Sequence, residues 1–144
     1  MQELLQKSTA PMLVPMELRE QTLQIEAEGE FIGDLDWTCE AIGNIVKNCM
    51  EHTEAGGIIT ISATENPIYT EIRILDNGCG IEAEDLPHIF ERFYKGKHSS
   101  EKSFGIGLAL AQMIITKQNG TIKAENRTTR GVEFKIRFYK ELME

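Results

Sequence analysis

The chain has 144 residues, 41% of them hydrophobic, and carries 23 Asp and Glu against 15 Lys and Arg for a formal net charge of -8. That length suits one domain with a core large enough to hold without a disulfide or a metal. The three cysteines, Cys39, Cys49 and Cys79, show no CxxC spacing and no clustered His, so they read as free thiols in a reducing compartment and argue against zinc. The charge is uneven: residues 1–66 hold 12 acids and 3 bases, whereas residues 67–144 hold 11 acids and 12 bases. A broad basic surface for nucleic acid is therefore excluded. No apolar run reaches the roughly 18 residues of a membrane span and no basic-then-apolar leader opens the chain, so the expected location is the cytosol, with no direct membrane contact.

In chain order, Met1 to Ala10 predicts a short helix with Leu4 and Leu5 as its apolar contacts, ended by Pro11 and Pro15. Leu23 and Ile25 alternate with polar neighbours in a strand over Thr22 to Ala27. Asp34 or Asp36 can cap a helix from about Trp37 to His52, in which Ile42, Ile45, Val46 and Cys49 recur at helical spacing. After Gly56-Gly57, two strands over Gly57 to Thr64 and Ile68 to Leu75 join around Asn66-Pro67 as a hairpin. A short helix from about Glu82 to Arg92 follows a tight glycine turn, and Tyr94 to Phe104 has the composition of a mobile loop. A second strong helix opens at Gly105 and closes at Asn119-Gly120, before strands over Thr121 to Asn126 and Val132 to Phe138. Five strands and two groups of helices predict an α+β chain: a mixed, mostly antiparallel sheet covered on one face by about three helices.

Three groups of residues carry chemistry. Glu40, Asn44, Asn48 and His52 fall four residues apart and form one polar row on the predicted helix. Asn is a poor helix former, so a solvated face alone accounts badly for two amides there, whereas a neutral amide oxygen suits a Mg2+ ion whose other ligands are phosphates and water. Asp76 to Ile81, DNGCGI, follows a strand; a carboxylate at the edge of the core needs a donor, either its own backbone in a plain Asx turn or an exocyclic amine of a purine. Gly78 and Gly80 would admit a flat ring to the backbone. Gly105 and Gly107 open the last helix, whose free N–H groups favour an anion, and Arg92, Lys95, Lys97 and Lys102 gather just upstream. Neither a P-loop nor a dinucleotide fingerprint is present.

Taken together these residues resemble the catalytic ATP-binding domain of sensor histidine kinases, in the Bergerat-fold ATPase superfamily. EAIGNIVKNCMEHT resembles the family's N box, DNGCGI its first glycine box, IFERFY its phenylalanine box, GIGLAL its second glycine box and GVEFKIRF its last strand. The resemblance implies a two-layer α/β sandwich with a mobile ATP lid. It implies that Asn44 ligates Mg2+ and Asn48 lies beside the phosphates, that Asp76 takes the adenine amine, and that Gly78 and Gly80 lie beneath the ring with His52 at its edge. It also implies that Phe90 and Phe93 anchor the base of the lid, that Arg92 and Lys95 meet the phosphates, that Gly105 and Gly107 admit them to the helix terminus, and that Ile81, Tyr94, Ile106 and Leu108 belong to the nucleotide-binding set. Two positions depart from the pattern: Glu51 stands where many members carry Lys, and Val132 where many carry Thr.

The implied activity is binding of Mg-ATP and donation of its γ-phosphoryl group to a histidine. His52, His88 and His98 are followed by Thr, Ile and Ser, so the acidic residue that follows the family's acceptor histidine is missing here. The expectation is thus a single domain over residues 1–144, a monomeric fragment whose partner is the histidine-containing dimerisation domain of a parent kinase, itself membrane-anchored in many family members, and, indirectly, a response regulator. Glu40 stands where hydrolysing relatives place a water-orienting glutamate, a role that transfer to histidine does not need. The alternatives are an anti-sigma-factor serine kinase of the same superfamily and a degenerate module that binds a partner without nucleotide.

Overall fold

A computed structural model describes residues 1–94 and 107–140. Helix α1 spans Gln2–Thr9 and buries Leu4 and Leu5. It ends ahead of Pro11 as expected, but the chain stays helical beyond it. Pro11 sits in a 3-10 turn, Ala10–Met12, and Pro15 falls in the first turn of a second short helix, α2 (Leu13–Leu18). A first-turn N–H has no acceptor within the helix, so its loss at Pro15 is tolerated. Strand β1 (Thr22–Ala27) precedes helix α3 (Leu35–Glu51), which is capped by the Asp34 carboxylate accepting from the Trp37 N–H at 2.9 Å.

Strands β2 (Ile58–Glu65) and β3 (Tyr69–Asp76) form the expected hairpin. Asn66 makes its turn, its Oδ1 accepting from the N–H groups of Ile68 and Tyr69, both at 2.8 Å. The helix expected over Glu82 to Arg92 is instead one 3-10 turn, Leu86–His88. Pro87 cannot donate in that turn, and Phe93, with φ at 65°, takes the chain out of helical geometry soon after it. Helix α4 is described over Gly107–Lys117 and ends before Asn119, whose φ of 61° is the left-handed stop expected there. Strands β4 (Gly120–Asn126) and β5 (Val132–Tyr139) complete the sheet.

The strand order is β1-β2-β3-β5-β4, with β1 and β2 parallel and every other neighbouring pair antiparallel. This is the mixed, mostly antiparallel sheet of an α/β sandwich, as expected. The sheet's apolar face carries Ile59, Ile61, Ile72, Ile74, Phe134 and Ile136, all almost fully buried beneath α3 and α4, with α1 packed against α3. The opposite face is a charged ladder, in which Arg73 pairs with Glu133 and Arg137 lies 3.0 Å from Glu71 while its guanidinium stacks 4.4 Å from the Tyr69 ring. Because side chains alternate along a strand, this register leaves Asp76 on the buried face at the very end of β3, opposite the start of β5. The apolar face thus ends on a carboxylate, beside the last turn of α3.

Candidate functional site

The row Glu40, Asn44, Asn48 and His52 lies on α3 and across its C-terminus. Glu40 is exposed, while Asn44, Asn48 and His52 are half-buried, so the row turns toward the interior as it descends, as a four-residue spacing on a 3.6-residue helix requires. Asn44 stands against the first residue of α4: a side chain added at Gly107 would meet the Asn44 Cβ and Cγ at 3.7 Å and its Oδ1 at 3.8 Å. Two motifs more than 60 residues apart are brought into contact here.

At the other end of α3, the Cys79 N–H donates to the His52 carbonyl at 3.4 Å, and Gly78 packs so tightly there that an added Cβ would come within 2.1 Å of the same oxygen. Gly78 is thus needed for the seat of the turn on α3. Asp76 is only 2% exposed, and its Oδ1 accepts from the Gly78 N–H at 3.0 Å and the Val132 N–H at 3.2 Å. The Asx-turn reading is therefore realised, and a second strand adds a donor to the same oxygen. These bonds offset part of the cost of burying the charge. Cys49 lies directly beside this carboxylate. Burial, reinforced by the Asp76 charge, pushes its thiol well above the ordinary value, so Cys49 stays protonated and inert.

The turn is held from three further directions. Asn77 Oδ1 accepts from the Ile58 N–H at 2.8 Å, which ties it to β2. Asn126, at the end of β4, accepts from the Ile81 N–H at 2.8 Å and donates to the Ile81 carbonyl at 2.7 Å. In the β4–β5 turn, Arg127 donates to the Asp76 carbonyl at 2.8 Å and Arg130 to the Gly78 carbonyl at 3.0 Å. Gly131, with φ at 102°, lies so close that an added Cβ would fall 1.9 Å from the Asp76 carbonyl. In the sequence Asn126 reads as the end of a strand, Arg127 and Arg130 as part of a turn, and Gly131 as the first residue of the GVEFKIRF motif, and none of them points to Asp76. The β3–β5 register is what carries them to Asp76.

Of the remaining predicted residues, Leu108 is half-buried on α4, and Arg92 is exposed with its guanidinium 5.2 Å from the Phe93 ring centroid. Phe90 packs edge-on to Phe134 with 6.4 Å between centroids, which ties its segment to the sheet. Phe93 is 65% exposed. Its left-handed φ turns the side chain away from the core that holds Phe90. The Tyr94 hydroxyl donates to Asp85, which pushes its pKa up to about 12. Lys95, Lys97, Lys102, Gly105 and Ile106 lie outside the described residues, as does nearly all of the expected lid.

Among the described residues no three His, Cys, Asp or Glu side chains cluster as a metal cage. The amide of Asn44, half-buried beside the start of α4, fits an ion that takes most of its ligands from phosphates and water. Two surface hollows lie elsewhere: one of about 120 Å³ on the charged face and one of about 180 Å³ between Trp37 and Met113. No helix among the described residues is long and apolar enough to cross a membrane.

Comparison with known proteins places these features in a family. Residues 33–142 match the model of the histidine kinase-, DNA gyrase B- and HSP90-like ATPases. Sensor histidine kinase YvrG of Bacillus subtilis is 30% identical over 114 residues, which cover 78% of this chain and 20% of YvrG. The catalytic domain of histidine kinase ThkA superposes with a TM-score of 0.84 at 23% identity, covering 97% of this chain and 92% of that one. Full-length ShkA in complex with AMPPNP superposes with a TM-score of 0.82 at 18% identity, over 99% of this chain and 30% of ShkA. The chain spans between 20% and 27% of the length of the curated relatives it matches.

Proposed function

Because the chain belongs to the histidine kinase-, DNA gyrase B- and HSP90-like ATPases, as a catalytic ATP-binding domain of the sensor histidine kinase type, we propose that it binds Mg-ATP across the end of α3 and presents the γ-phosphoryl group to a histidine on a separate dimerisation domain. The observation that carries this reading is the buried Asp76 carboxylate at the end of β3, braced by two backbone N–H groups and lying beside Cys49 of α3, the helix whose Asn44 touches the start of α4. In this arrangement Asp76 accepts from the purine amine, and Ile81 and His52 border the base. Asn44 and Asn48 lie at the phosphate end, where the Asn44 amide would hold a Mg2+ ion. Such an ion would supply neutralisation of phosphate charge. The chain supplies position, which is most of what phosphoryl transfer asks of a protein.

The acceptor is external in this reading. A response regulator is then a partner of the whole kinase, and it meets this domain only indirectly. The location follows that of the parent protein, with this domain on its cytosolic side.

Titration with Mg-ADP tests the base assignment. Asp76→Asn keeps an oxygen for the Gly78 and Val132 N–H groups but removes the charge, and should weaken binding by about ten- to a hundredfold, as expected for a lost charge-assisted bond of roughly 1.5 to 3 kcal/mol. Parent affinity in that variant would overturn the assignment. Incubation of the chain alone with radiolabelled ATP should leave no phosphohistidine on it.

A further inference from the structure

We propose that Asn126 and Arg130 are positioning residues for base recognition, holding the Asp76–Ile81 turn where its carboxylate meets the base. This rests on the nucleotide reading above. Both residues are exposed, and neither has a packing role in the core. Yet both turn back onto backbone groups of one turn. Asn126 satisfies the N–H and the carbonyl of Ile81 together, at 2.8 and 2.7 Å. Arg130 donates to the Gly78 carbonyl at 3.0 Å, and its other arm lies 3.4 Å from Glu54, just beyond the end of α3.

Between these two anchors lie Cys79 and Gly80, the latter with φ at 78°, and neither belongs to a strand or helix. An Asp-Asn-Gly turn left to itself has several accessible geometries. Pinned at Gly78 and at Ile81 by side chains from the opposite strand pair, this one is restricted to a single geometry. Hydrogen bonds to a ligand weaken steeply with displacement, so a turn that drifts by about 1 Å loses what its carboxylate gains from a base amine. The two side chains therefore act on discrimination between bases. A base with a carbonyl in place of that amine gains nothing from the Asp76 carboxylate, and its binding should not depend on the brace.

The test compares the parent chain, Asn126→Ala and Arg130→Ala by calorimetric titration with Mg-ADP and Mg-GDP, with a thermal melt of each. Each variant should weaken ADP by about five- to tenfold while GDP changes by less than about twofold, so that the preference for ADP shrinks by nearly the whole factor. Arg130→Lys, which keeps a donor for the Gly78 carbonyl, should restore most of that preference, and it carries the test if Arg130→Ala melts far below the parent. An unchanged preference overturns the proposal, whether both nucleotides weaken together, as a purely structural role would have it, or neither does. If the parent chain binds neither nucleotide, the nucleotide reading itself has failed, and the brace fails with it.

Discussion

The two ends of the site are held in different ways. At the Asp76 end, four elements converge on one turn, and most of the bonds involve backbone groups: Gly78 and Val132 N–H to the carboxylate, Arg127 and Arg130 to carbonyls, and Asn126 to both groups of Ile81. At the Arg92 end, side chains of one short segment pair with each other, as in Tyr94 with Asp85, His88 with Glu91, and Arg92 across the Phe93 ring. The two buried bonds to the Asp76 carboxylate are screened little by salt, and those from Asn126, Arg127 and Arg130 end on backbone groups, so together they fix geometry before any ligand arrives. An exposed pair such as His88 with Glu91 holds geometry weakly, and the part-buried bond of Tyr94 to Asp85 stays within the one segment. The contrast suits a ligand whose flat base demands an exact seat while its phosphates bring their own charge and metal.

A matched pair of glycine substitutions tests that contrast most severely. In Gly131→Ala the new Cβ would fall 1.9 Å from the Asp76 carbonyl and 2.8 Å from its Oδ1, at a φ of 102°. The left-handed backbone and the overpacking together should cost about 3 kcal/mol or more, read as a lower urea midpoint, with ADP binding lost along with the displaced carboxylate. In Gly107→Ala the nearest atom to the new Cβ is 3.7 Å away, an ordinary contact, and alanine favours a helix. Stability there should stay within about 1 kcal/mol of the parent. Equal losses at both glycines would remove the distinction between the two ends.

The same contrast marks how far the site could be read from the residues alone. The patterns in TLQIEA, GIITISAT and VEFKIRF locate strands to within a residue at each end, and the spacing of Ile42, Ile45, Val46 and Cys49 locates α3, because each pattern is local and each buried face is continuous. Asp76 was legible too, as an acid ending an apolar run. Its brace was not, since Asn126, Arg127 and Arg130 act across some 50 residues of sequence through a strand register that local pattern does not encode. The helix expected at 82–92 failed for a related reason: Leu86, Ile89 and Phe90 have helical spacing, but Pro87 and the left-handed Phe93 override it. The reason for Gly78, a carbonyl of α3 pressed against it, likewise exists only in three dimensions.

The tyrosines give a smaller but sharper measure. Tyr94 is held neutral by its bond to Asp85, with a pKa pushed up to about 12, whereas Thr121 and Arg137 hold Tyr139, at the far edge of the charged face, below its ordinary value. For a group raised above its unfolded value, the stabilising contact is complete below that value, near pH 10, and is lost as pH rises through the folded one. Phenolate absorbance should therefore show Tyr139 ionising before Tyr94, with Tyr94 identified by its absence in Tyr94→Phe. In Asp85→Asn the late transition should move down toward pH 10. If the order is reversed, the pairing of Tyr94 with Asp85 does not hold the Arg92 end in solution.

The smallest effect is expected at Glu40. It is the exposed head of the polar row, one helical turn ahead of the half-buried Asn44. A residue that orients attacking water must hold that water in line with the phosphate, which calls for a partly enclosed, fixed carboxylate. Transfer to an external histidine needs no such group, since the acceptor brings its own nucleophile. Glu40→Gln should accordingly leave the slow steady-state turnover of ATP unchanged within about twofold, because an exposed carboxylate exchanged for its amide changes little else. A fall of tenfold or more would instead make Glu40 a water-orienting base and the polar row one continuous catalytic strip, and the chain would then stand with the hydrolysing members of its family.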